Sequence, residues 1–257
     1  MLKKQKLKEI IAIAFSLAKV SFRLRTEGSY LGILWYLLNP LLLFGVLMLV
    51  KAAAFSHVDI PDYPLYLLIG ITGFNFFKSA ITSAIDVVSS NSDYIKSINR
   101  VDPAALVISV VLQAVFSHIF EFIMILALAL YLQVSLVGLL FYPLVLALFA
   151  VMVLGIALIF ATIGVYVNDL NNVWLIMVQI LLLTTPIFYV IEPGSFIYLA
   201  NLFNPLFYFL EIARPLVMFG QAPDVGLLLA TAGLSVIFLI SGTLIFNHYK
   251  KKFAEFL

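Results

Sequence analysis

The stretch Leu139–Val165 reads LLFYPLVLALFAVMVLGIALIFATIGV and contains no charged side chain. A helix needs about 20 mostly apolar residues to cross the roughly 30 Å hydrocarbon layer of a bilayer, so this stretch is long enough to span one. The whole chain has the same character, since 64% of its residues are hydrophobic and only 11% are charged. A soluble protein could not cover so much apolar surface. The sequence therefore predicts an integral membrane protein.

Further apolar runs on both sides of this stretch predict an all-α fold with six transmembrane helices. The predicted spans are about residues 30–55, 65–88, 104–132, 139–165, 173–190 and 225–246. We assign the whole chain to one transmembrane domain, with an N-terminal region at 1–29, a six-span core at 30–248 and a tail at 249–257. Basic residues cluster near both termini. This favours a cytoplasmic location for both termini and agrees with an even number of crossings.

The N-terminal region has the pattern of an amphipathic helix. On a helical wheel at 100° per residue, the polar positions of residues 8–23 fall within one arc of about 100°. That arc contains Lys8, Glu9, Ala12, Ser16, Lys19 and Arg23. The other positions are almost all apolar, so we predict a helix that lies in the cytoplasmic interface of the membrane. A cleaved signal peptide is the alternative, but basic residues follow the apolar run and no small-x-small cleavage site is present.

Residues 191–222 are rich in aromatic side chains yet are interrupted by proline and glycine. They are too broken for a simple span and too apolar for a solvated loop. Because irregular backbone at membrane depth must be buried in protein or face water, we predict two short helices that re-enter the outer leaflet. Within this segment Asn204-Pro205 should cap or break a helix. Glu211 should form a salt bridge with Arg214, three positions later on the same helical face.

Three charged side chains inside the predicted spans are functional candidates by default: Lys78, Asp86 and Glu121. Counting along each helix, Lys78 and Glu121 should differ in depth by roughly 15 Å, so we do not expect them to pair. Lys78 should instead reach toward the cytoplasm, in the direction of Asp86. Glu121 should either bond His118 one turn away or face a hydrated pathway.

Several sequence elements resemble, in their order and approximate spacing, the permeases of polysaccharide-export ABC transporters. These elements are LGILWYLLNPLL (Leu31–Leu42), VYVNDLNNV (Val165–Val173), TPIFY (Thr185–Tyr189), Asn204-Pro205 and Arg214. Together they cover nearly the whole chain. The sequence departs from the family at Asn168, where a basic residue often precedes the aspartate, so no charge-based role is expected at that position. Structural roles are assigned to the prolines and polar residues of these elements and of the broken segment, namely Asn39, Pro40, Pro186, Asn204, Pro205, Glu211 and Arg214, with a kink or wide turn at Asn39-Pro40.

That resemblance implies a homodimer of permeases, each bound to a separate ATPase subunit, in the bacterial cytoplasmic (inner) membrane. It implies a lipid-linked polysaccharide such as O-antigen, teichoic acid or capsule as the exported substrate. ATP and Mg²⁺ would bind the two nucleotide-binding ATPase subunits. This chain has no G-x-x-x-x-G-K-[ST] phosphate loop, so we expect no cofactor in it. Membrane lipids are expected partners and nucleic acid is not. An ABC exporter of lipids or drugs is the nearest alternative.

The stretch YIKSINR between the second and third spans is the candidate for contact with the ATPase. We expect a short polar helix here whose tyrosine and isoleucines supply apolar contact and whose basic residues set charge complementarity. The candidate coupling residues are Tyr94, Ile95, Lys96, Ile98 and Arg100, together with Lys8, Lys19 and Arg23 on the N-terminal helix. The alternative is an ordinary solvated loop that fixes the topology.

Aromatic side chains crowd the predicted outer region. Sugar rings stack their C–H faces on aromatic rings, so a glycan pathway favours aromatic residues with few fixed charges. The candidates for the pore or outer gate are Phe188, Tyr189, Tyr198, Phe207, Tyr208 and Glu121. The alternative for the aromatic residues is an interfacial belt combined with ordinary packing.

Catalytic and metal-binding functions find little support in the sequence. There is no cysteine, and the three histidines have no metal-ligand spacing. An ion-driven secondary carrier would favour paired repeats and ion ligands near the midplane of the membrane, and neither is evident. A membrane-embedded glycosyl or prenyl transferase would need a carboxylate cluster at one membrane face, and the aspartates are too sparse for one. We therefore predict a transport subunit without an active site of its own.

Overall fold

A computed structural model describes residues 2–26, 34–54, 60–93 and 101–256. Over these ranges the regular secondary structure is helical, and no strand is found. In chain order the α-helices are α1 (Leu2–Thr26), α2 (Trp35–Ala54), α3 (Tyr63–Val87), α4 (Pro103–Tyr131), α5 (Val137–Tyr166), α6 (Leu170–Thr184), α7 (Phe196–Asn201), α8 (Pro205–Phe219), α9 (Val225–Tyr249) and α10 (Phe253–Phe256).

Four helices of the described ranges are long and apolar enough to cross a membrane. They are Tyr63–Val87, Pro103–Tyr131, Val137–Tyr166 and Val225–Lys252, the last of which includes a 3₁₀ turn after α9. The apolar parts of α2 and α6, Leu37–Ala53 and Leu170–Thr184, are shorter. The all-helical membrane fold is thus confirmed, while the count of six crossings stays a prediction.

Local sequence explains where several of these helices begin and end. Asp102 and Asn204 each precede a helix, and each side chain accepts a hydrogen bond from a backbone N–H of the first turn. Pro103 and Pro205 follow them at the first helical position, where no backbone N–H is needed. α8 ends at Gly220, whose φ of 62° is one that glycine adopts without strain. As the sequence predicts, Asn204-Pro205 marks a helix boundary. By contrast, α2 continues through Pro40 without interruption.

Helix α3 lies at the centre of the bundle. It contacts α2, α4, α5, α6 and α8, and 78% of its most apolar window is buried, against 17% for the last long helix. Helix α9 is peripheral and packs mainly on α5. The central position of α3 means that any polar side chain on it must face a neighbouring helix, a cavity or water.

Helix α1 packs along α4. Ala14 and Ala18 are fully buried in this contact, and the ring of Phe22 stacks on the ring of Phe120 at a centroid distance of 6.0 Å. The six positions of the predicted polar arc are all exposed. An amphipathic N-terminal helix is therefore present as predicted, although only one stripe of its apolar surface is used for packing against the bundle.

Two polar contacts bring four helix ends together at one end of the bundle. The amide of Asn171, at the start of α6, donates to the carboxylate of Asp86 at the end of α3, with 2.6 Å from the nitrogen to each oxygen. Lys250, just after α9, lies 3.3 Å from the carboxylate of Asp102 at the start of α4. The helices therefore alternate in direction, as expected for a chain that crosses a membrane repeatedly.

Helices α5 and α9 approach each other backbone to backbone at two glycines. A Cβ atom added to Gly155 would overlap the carbonyl group of Phe238, and one added to Gly242 would overlap the carbonyl oxygen of Gly155. Small residues that permit close approach are the usual basis of helix packing in lipid, where the hydrophobic effect does not hold helices together.

Replacing Gly155 with alanine should lower the apparent melting temperature of the detergent-solubilised protein. The added methyl group must displace the α9 backbone, and such overpacking costs about 1–3 kcal/mol. Gly233→Ala on α9 is the matched control, since nothing lies within 4 Å of a Cβ atom added there, and alanine favours a helix by about 1 kcal/mol over glycine. Equal shifts for the two variants would contradict the close-packing interpretation.

Candidate functional site

A polar groove opens between α2, α3 and α4. Its volume is about 260 Å³. The residues that line it define the polar groove hereafter: Trp35, Asn39, Pro40, Asn75, Phe76, Lys78, Ser79, Thr82, Ser83, Ala114, Ser117 and Glu121. Such a concentration of amide, hydroxyl and charged groups within membrane-length helices is costly unless water or another polar molecule solvates it.

One face of α3 supplies most of these polar groups. Asn75, Lys78, Ser79, Thr82 and Ser83 recur at intervals of three and four residues, so they share one side of the helix. The remaining faces of α3 are apolar and buried against its neighbours. The helix is therefore amphipathic. Its apolar side packs in the core of the protein, and its polar side lines the groove.

Helix α2 forms the opposite wall. Trp35 is 51% exposed, and the amide of Asn39 is exposed one turn further on, whereas Pro40 is buried. The side chains of Trp35 and Asn39 therefore face the groove. An indole ring beside amide groups combines a stacking surface with hydrogen-bond donors and acceptors, which is the chemistry that sugar rings require.

Glu121 lies in the third wall, on α4, and is tied to a buried network. Its Oε2 atom is 2.8 Å from Nδ1 of His118, and Nε2 of His118 is 2.7 Å from the hydroxyl of Tyr142 on α5. Glu121 is only 7% exposed. The expected bond to His118 is present, and Glu121 also lines the polar groove, while its place in a hydrated pathway stays a prediction.

The structure corrects the predicted depth difference of roughly 15 Å between Lys78 and Glu121, because both line the same groove. The depth estimate fails because α4 has 29 residues and extends about 43 Å, well beyond the roughly 30 Å apolar layer. Counting from its first residue places Glu121 too far toward the outer side. The ring of His118 contacts the ring of Phe76 at a centroid distance of 5.7 Å, so this part of α4 lies near the level of Lys78. No ion pair joins Lys78 to Glu121 among the described residues.

Side-chain hydrogen bonds join the last turns of α3 to α6. The indole nitrogen of Trp174 donates to the hydroxyl of Thr82 at 2.8 Å, and Asp86 accepts from Asn171 as described above. Asp86 is thus bonded to an amide, whereas the sequence suggested Lys78 as its neighbour. These contacts link the polar face of α3 to the helix that leads into residues 185–195.

The segment that follows α6 is held by tyrosine hydroxyls from the start of α3. Tyr63 donates to the carbonyl oxygen of Phe188 at 3.0 Å, and Tyr66 donates to that of Tyr189 at 2.7 Å. The hydroxyl of Tyr189 in turn donates to the carbonyl oxygens at the end of α6. The segment that contains Phe188 and Tyr189 is therefore fixed against α3 and α6. The contacts with α3 are made by the backbone of these two gate candidates and not by their side chains.

Arg214 on α8 completes this attachment. Its Nη2 atom donates to the carbonyl oxygen of Ile187 at 2.9 Å, and its guanidinium carbon lies 3.5 Å from the centre of the Tyr66 ring. The side chain packs against Gly70 of α3, where a Cβ atom would meet Nη2. The buried charge is thus stabilised by a carbonyl group and an aromatic face.

The predicted salt bridge between Glu211 and Arg214 is not found among the ion pairs of the described residues. Both side chains instead line a cavity of about 320 Å³ at the end of the bundle where α3 begins, together with Tyr66, Pro186 and other groups. We name it the outer cavity after the side on which the sequence predicts residues 191–222. The helical spacing allowed the pair, but Glu211 is exposed while Arg214 is buried and turned toward α3. Burial favours the partners within reach inside the protein, and those lie far away in sequence.

Asn204 connects α6, α7 and α8. Its amide nitrogen donates to the hydroxyl of Thr185 at 2.7 Å and to the side-chain oxygen of Asn201 at 3.0 Å, and its own oxygen caps α8 by accepting from Leu206. Asn201 donates to the carbonyl oxygen of Thr184. The two short helices that the sequence predicted are present, and this network fixes where they join the end of α6.

The remaining aromatic candidates are Tyr198, Phe207 and Tyr208, and the structure gives each of them a contact. Phe207 is buried and meets the ring of Tyr198 edge to face at 5.6 Å, and both line the outer cavity. The hydroxyl of Tyr208 donates to a backbone carbonyl. Their neighbour Phe209 is buried in the core and stacks on Phe149 at 4.6 Å.

The candidates for contact with the ATPase are only partly covered by the structure. The stretch 94–100, with coupling candidates Tyr94, Ile95, Lys96, Ile98 and Arg100, lies outside the described residues. The remaining candidates, Lys8, Lys19 and Arg23, are exposed on α1. In the described ranges no group of three His, Cys, Asp or Glu side chains could hold a metal ion.

Residues 14–218 match the family described as ABC-2 type transporter, and the chain belongs to that family. It is similar to the O-antigen export system permease protein RfbA of Myxococcus xanthus, with 25% identity over 247 residues that cover 95% of this chain and 94% of the relative. Two proteins of the same name from Klebsiella pneumoniae are 28% and 26% identical, and each alignment covers 91% of both chains.

Replacing Arg214 with lysine should loosen residues 185–190 while the bundle stays folded. Lysine keeps the charge but lacks the planar guanidinium that stacks on Tyr66 and bonds Ile187. A charge-assisted hydrogen bond contributes about 1.5–3 kcal/mol, so amide hydrogen exchange in the segment should accelerate roughly 10- to 100-fold. Glu211→Gln, in the same cavity, should leave exchange unchanged. Wild-type exchange rates in the lysine variant would show that Arg214 does not hold the segment.

Proposed function

We propose that this chain is the permease subunit of an ABC transporter that exports a lipid-linked polysaccharide of the O-antigen type across the bacterial cytoplasmic membrane. The observation that carries the proposal is the polar groove within membrane-length helices of a chain in the ABC-2 transporter family. The names of the three relatives support the substrate class. The chain would act as a transport subunit, and a separate ATPase would hydrolyse ATP.

The lining of the groove fits a glycan better than an apolar cargo. Amides and hydroxyls supply both donors and acceptors to sugar hydroxyl groups, and Trp35 offers an aromatic face. Of the described residues that line the groove, only Lys78 and Glu121 carry charge. A lipid or drug exporter would favour an apolar lining, because apolar cargo gains nothing from a row of hydroxyl groups.

The groove is open on one side, and a second copy of the chain is the natural way to close it. In this proposal two permeases form a homodimer, the polar faces of the two α3 helices look toward a shared path, and each permease binds one ATPase subunit. Two-fold assemblies of identical subunits are the commonest oligomers. The path between protomers would be wide enough for a polymer only while the two halves are apart.

The membrane arrangement we propose has six crossings with both termini in the cytoplasm. Helix α2 has 20 residues and extends about 30 Å, enough for one crossing. Helix α6 has 15 residues, so the segment after it would complete the crossing. Helices α7 and α8 would then lie in the outer leaflet as re-entrant helices, with the outer cavity on the exit side.

The contact with the ATPase is assigned to residues 94–100. They join Asp93 to Val101, at the end of the bundle where Asp102 contacts Lys250. That end is cytoplasmic in the proposed arrangement, and it is also where the polar face of α3 ends at Asp86. A push on this connection would therefore reach the groove through α3 and α4.

Reconstitution tests the proposed function directly. In liposomes, the purified permease together with its ATPase should move a lipid-linked glycan only when ATP is supplied, and the permease alone should move nothing against a gradient. Transport by the permease alone, powered by an ion gradient, would indicate a secondary carrier. ATP-dependent movement of lipids or drugs with no glycan transport would indicate the alternative exporter class.

Replacing Tyr94 and Arg100 with alanine should uncouple ATP hydrolysis from export. We expect polymer export to fall at least tenfold while the assembled complex still hydrolyses ATP, because the loss of two interface anchors weakens the contact by a few kcal/mol. Lys252→Ala is the control, since this exposed lysine lies near the C-terminus at the same end of the bundle. An unchanged ratio of export to hydrolysis would exclude this contact as the coupling element.

A further inference from the structure

Lys78 stands apart from the other charges of the bundle. It lies near the middle of α3, and its side chain is exposed in the polar groove. No ion pair or side-chain hydrogen bond to its ammonium group is found among the described residues. An ammonium group at this position in a membrane helix is costly and marks a functional site by default. Arg214, another basic side chain within the bundle, donates from Nη2 to Ile187 and stacks on Tyr66, although its Nε atom has no hydrogen-bond partner among the described residues.

The groups around Lys78 differ in what they can still donate. Ser79, Thr82 and Ser117 already donate their hydroxyl hydrogens to backbone carbonyls of their own helices. Ser83 and Asn39 have no such bond in the described part of the chain. Among the described lining residues, the donors still available are therefore the Lys78 ammonium group, the Ser83 hydroxyl, the indole nitrogen of Trp35 and the amides of Asn39 and Asn75.

Glu121 is the single carboxylate among the described residues that line the groove, and it is already bonded within its own helix. His118 lies 2.8 Å from one of its oxygens, and Asn75 lines the groove with it. Its side chain is also largely buried. Among the described lining residues, the accessible charge is consequently positive and is concentrated at Lys78.

We propose that Lys78 is the centre of an oxyanion subsite that receives the phosphate group of the lipid-linked substrate as it enters the groove. This inference rests on the proposed function. A lysine binds phosphate as a compact point charge with three rotatable donors, and Ser83 and Asn39 add neutral donors nearby. A single unpaired cation holds the phosphate without trapping it, which a translocation path requires. The phosphate could belong to the carrier lipid or to the polymer.

Ligand-stimulated ATP hydrolysis tests the subsite. The permease–ATPase complex is placed in nanodiscs of zwitterionic phosphatidylcholine, so that no bulk anionic lipid competes. Farnesyl diphosphate should stimulate hydrolysis, and farnesol should not. In Lys78→Gln the concentration for half-maximal stimulation should rise roughly tenfold or more, while Lys78→Arg should stay within about threefold of the wild type. Lys51→Gln, which removes the cation near the outer end of α2, is the control and should behave as the wild type.

Two further probes separate the possible sources of the phosphate. A soluble glycerol phosphate oligomer carries phosphates without a lipid, so stimulation by this probe and not by farnesyl diphosphate assigns the site to phosphate within the polymer. The reverse result assigns it to the carrier lipid. Both results support an oxyanion subsite provided that Lys78→Gln weakens the response.

A labelling measurement covers the case in which Lys78→Gln assembles poorly. Because the chain has no cysteine, Ser83→Cys creates a unique thiol in the groove, and farnesyl diphosphate should protect it from a methanethiosulfonate reagent. Protection should weaken in the double variant with Lys78→Gln and persist with Lys51→Gln. Unchanged stimulation and protection in Lys78→Gln would overturn the inference. If that variant also exports polymer normally, the proposed function stands without the subsite.

Discussion

The requirement that every polar group within an apolar layer must have a partner shapes this protein. Helix α3 satisfies this requirement because its polar and apolar side chains lie on different faces. Its apolar faces are buried among five neighbouring helices, and its polar face, from Asn75 to Ser83, lines the groove. The groove is thus a consequence of where α3 lies. A central helix with one polar side leaves a polar surface inside the bundle, and in the proposed function that surface lines the path of a polar polymer.

The same requirement explains how the broken segment after α6 can remain folded. Residues 185–195 form no helix, so their carbonyl groups need partners from elsewhere. Tyr63, Tyr66 and Arg214 supply those partners, and Asn204 joins the short helices to the end of α6. These polar contacts add to the apolar packing of Ile187 and of the buried face of α8, which belong to the same core cluster as α3.

Much of the fold could be predicted from the sequence because membrane helices are strongly determined by local composition. The long apolar helices, the amphipathic α1 and the boundary at Asn204-Pro205 all follow from patterns within a few turns of chain. The site was less predictable. The polar recurrence on α3 was visible, but the depth of Lys78 relative to Glu121 depended on how far α4 extends beyond the apolar layer. The Glu211–Arg214 pair was plausible by spacing and failed because burial turned Arg214 toward distant partners.

By itself, the sequence determined that this is a helical membrane protein, where its long apolar helices lie, which face of α1 is polar, and that the chain has no phosphate loop of its own. These properties depend on residues that are neighbours along the chain or one helical turn apart. Only the tertiary structure decided that α3 is central, that Lys78 and Glu121 share one groove, and that Tyr66 and Ile187 receive Arg214. Each of those contacts joins residues separated by many positions, and the packing of whole helices sets which of the many possible partners meet.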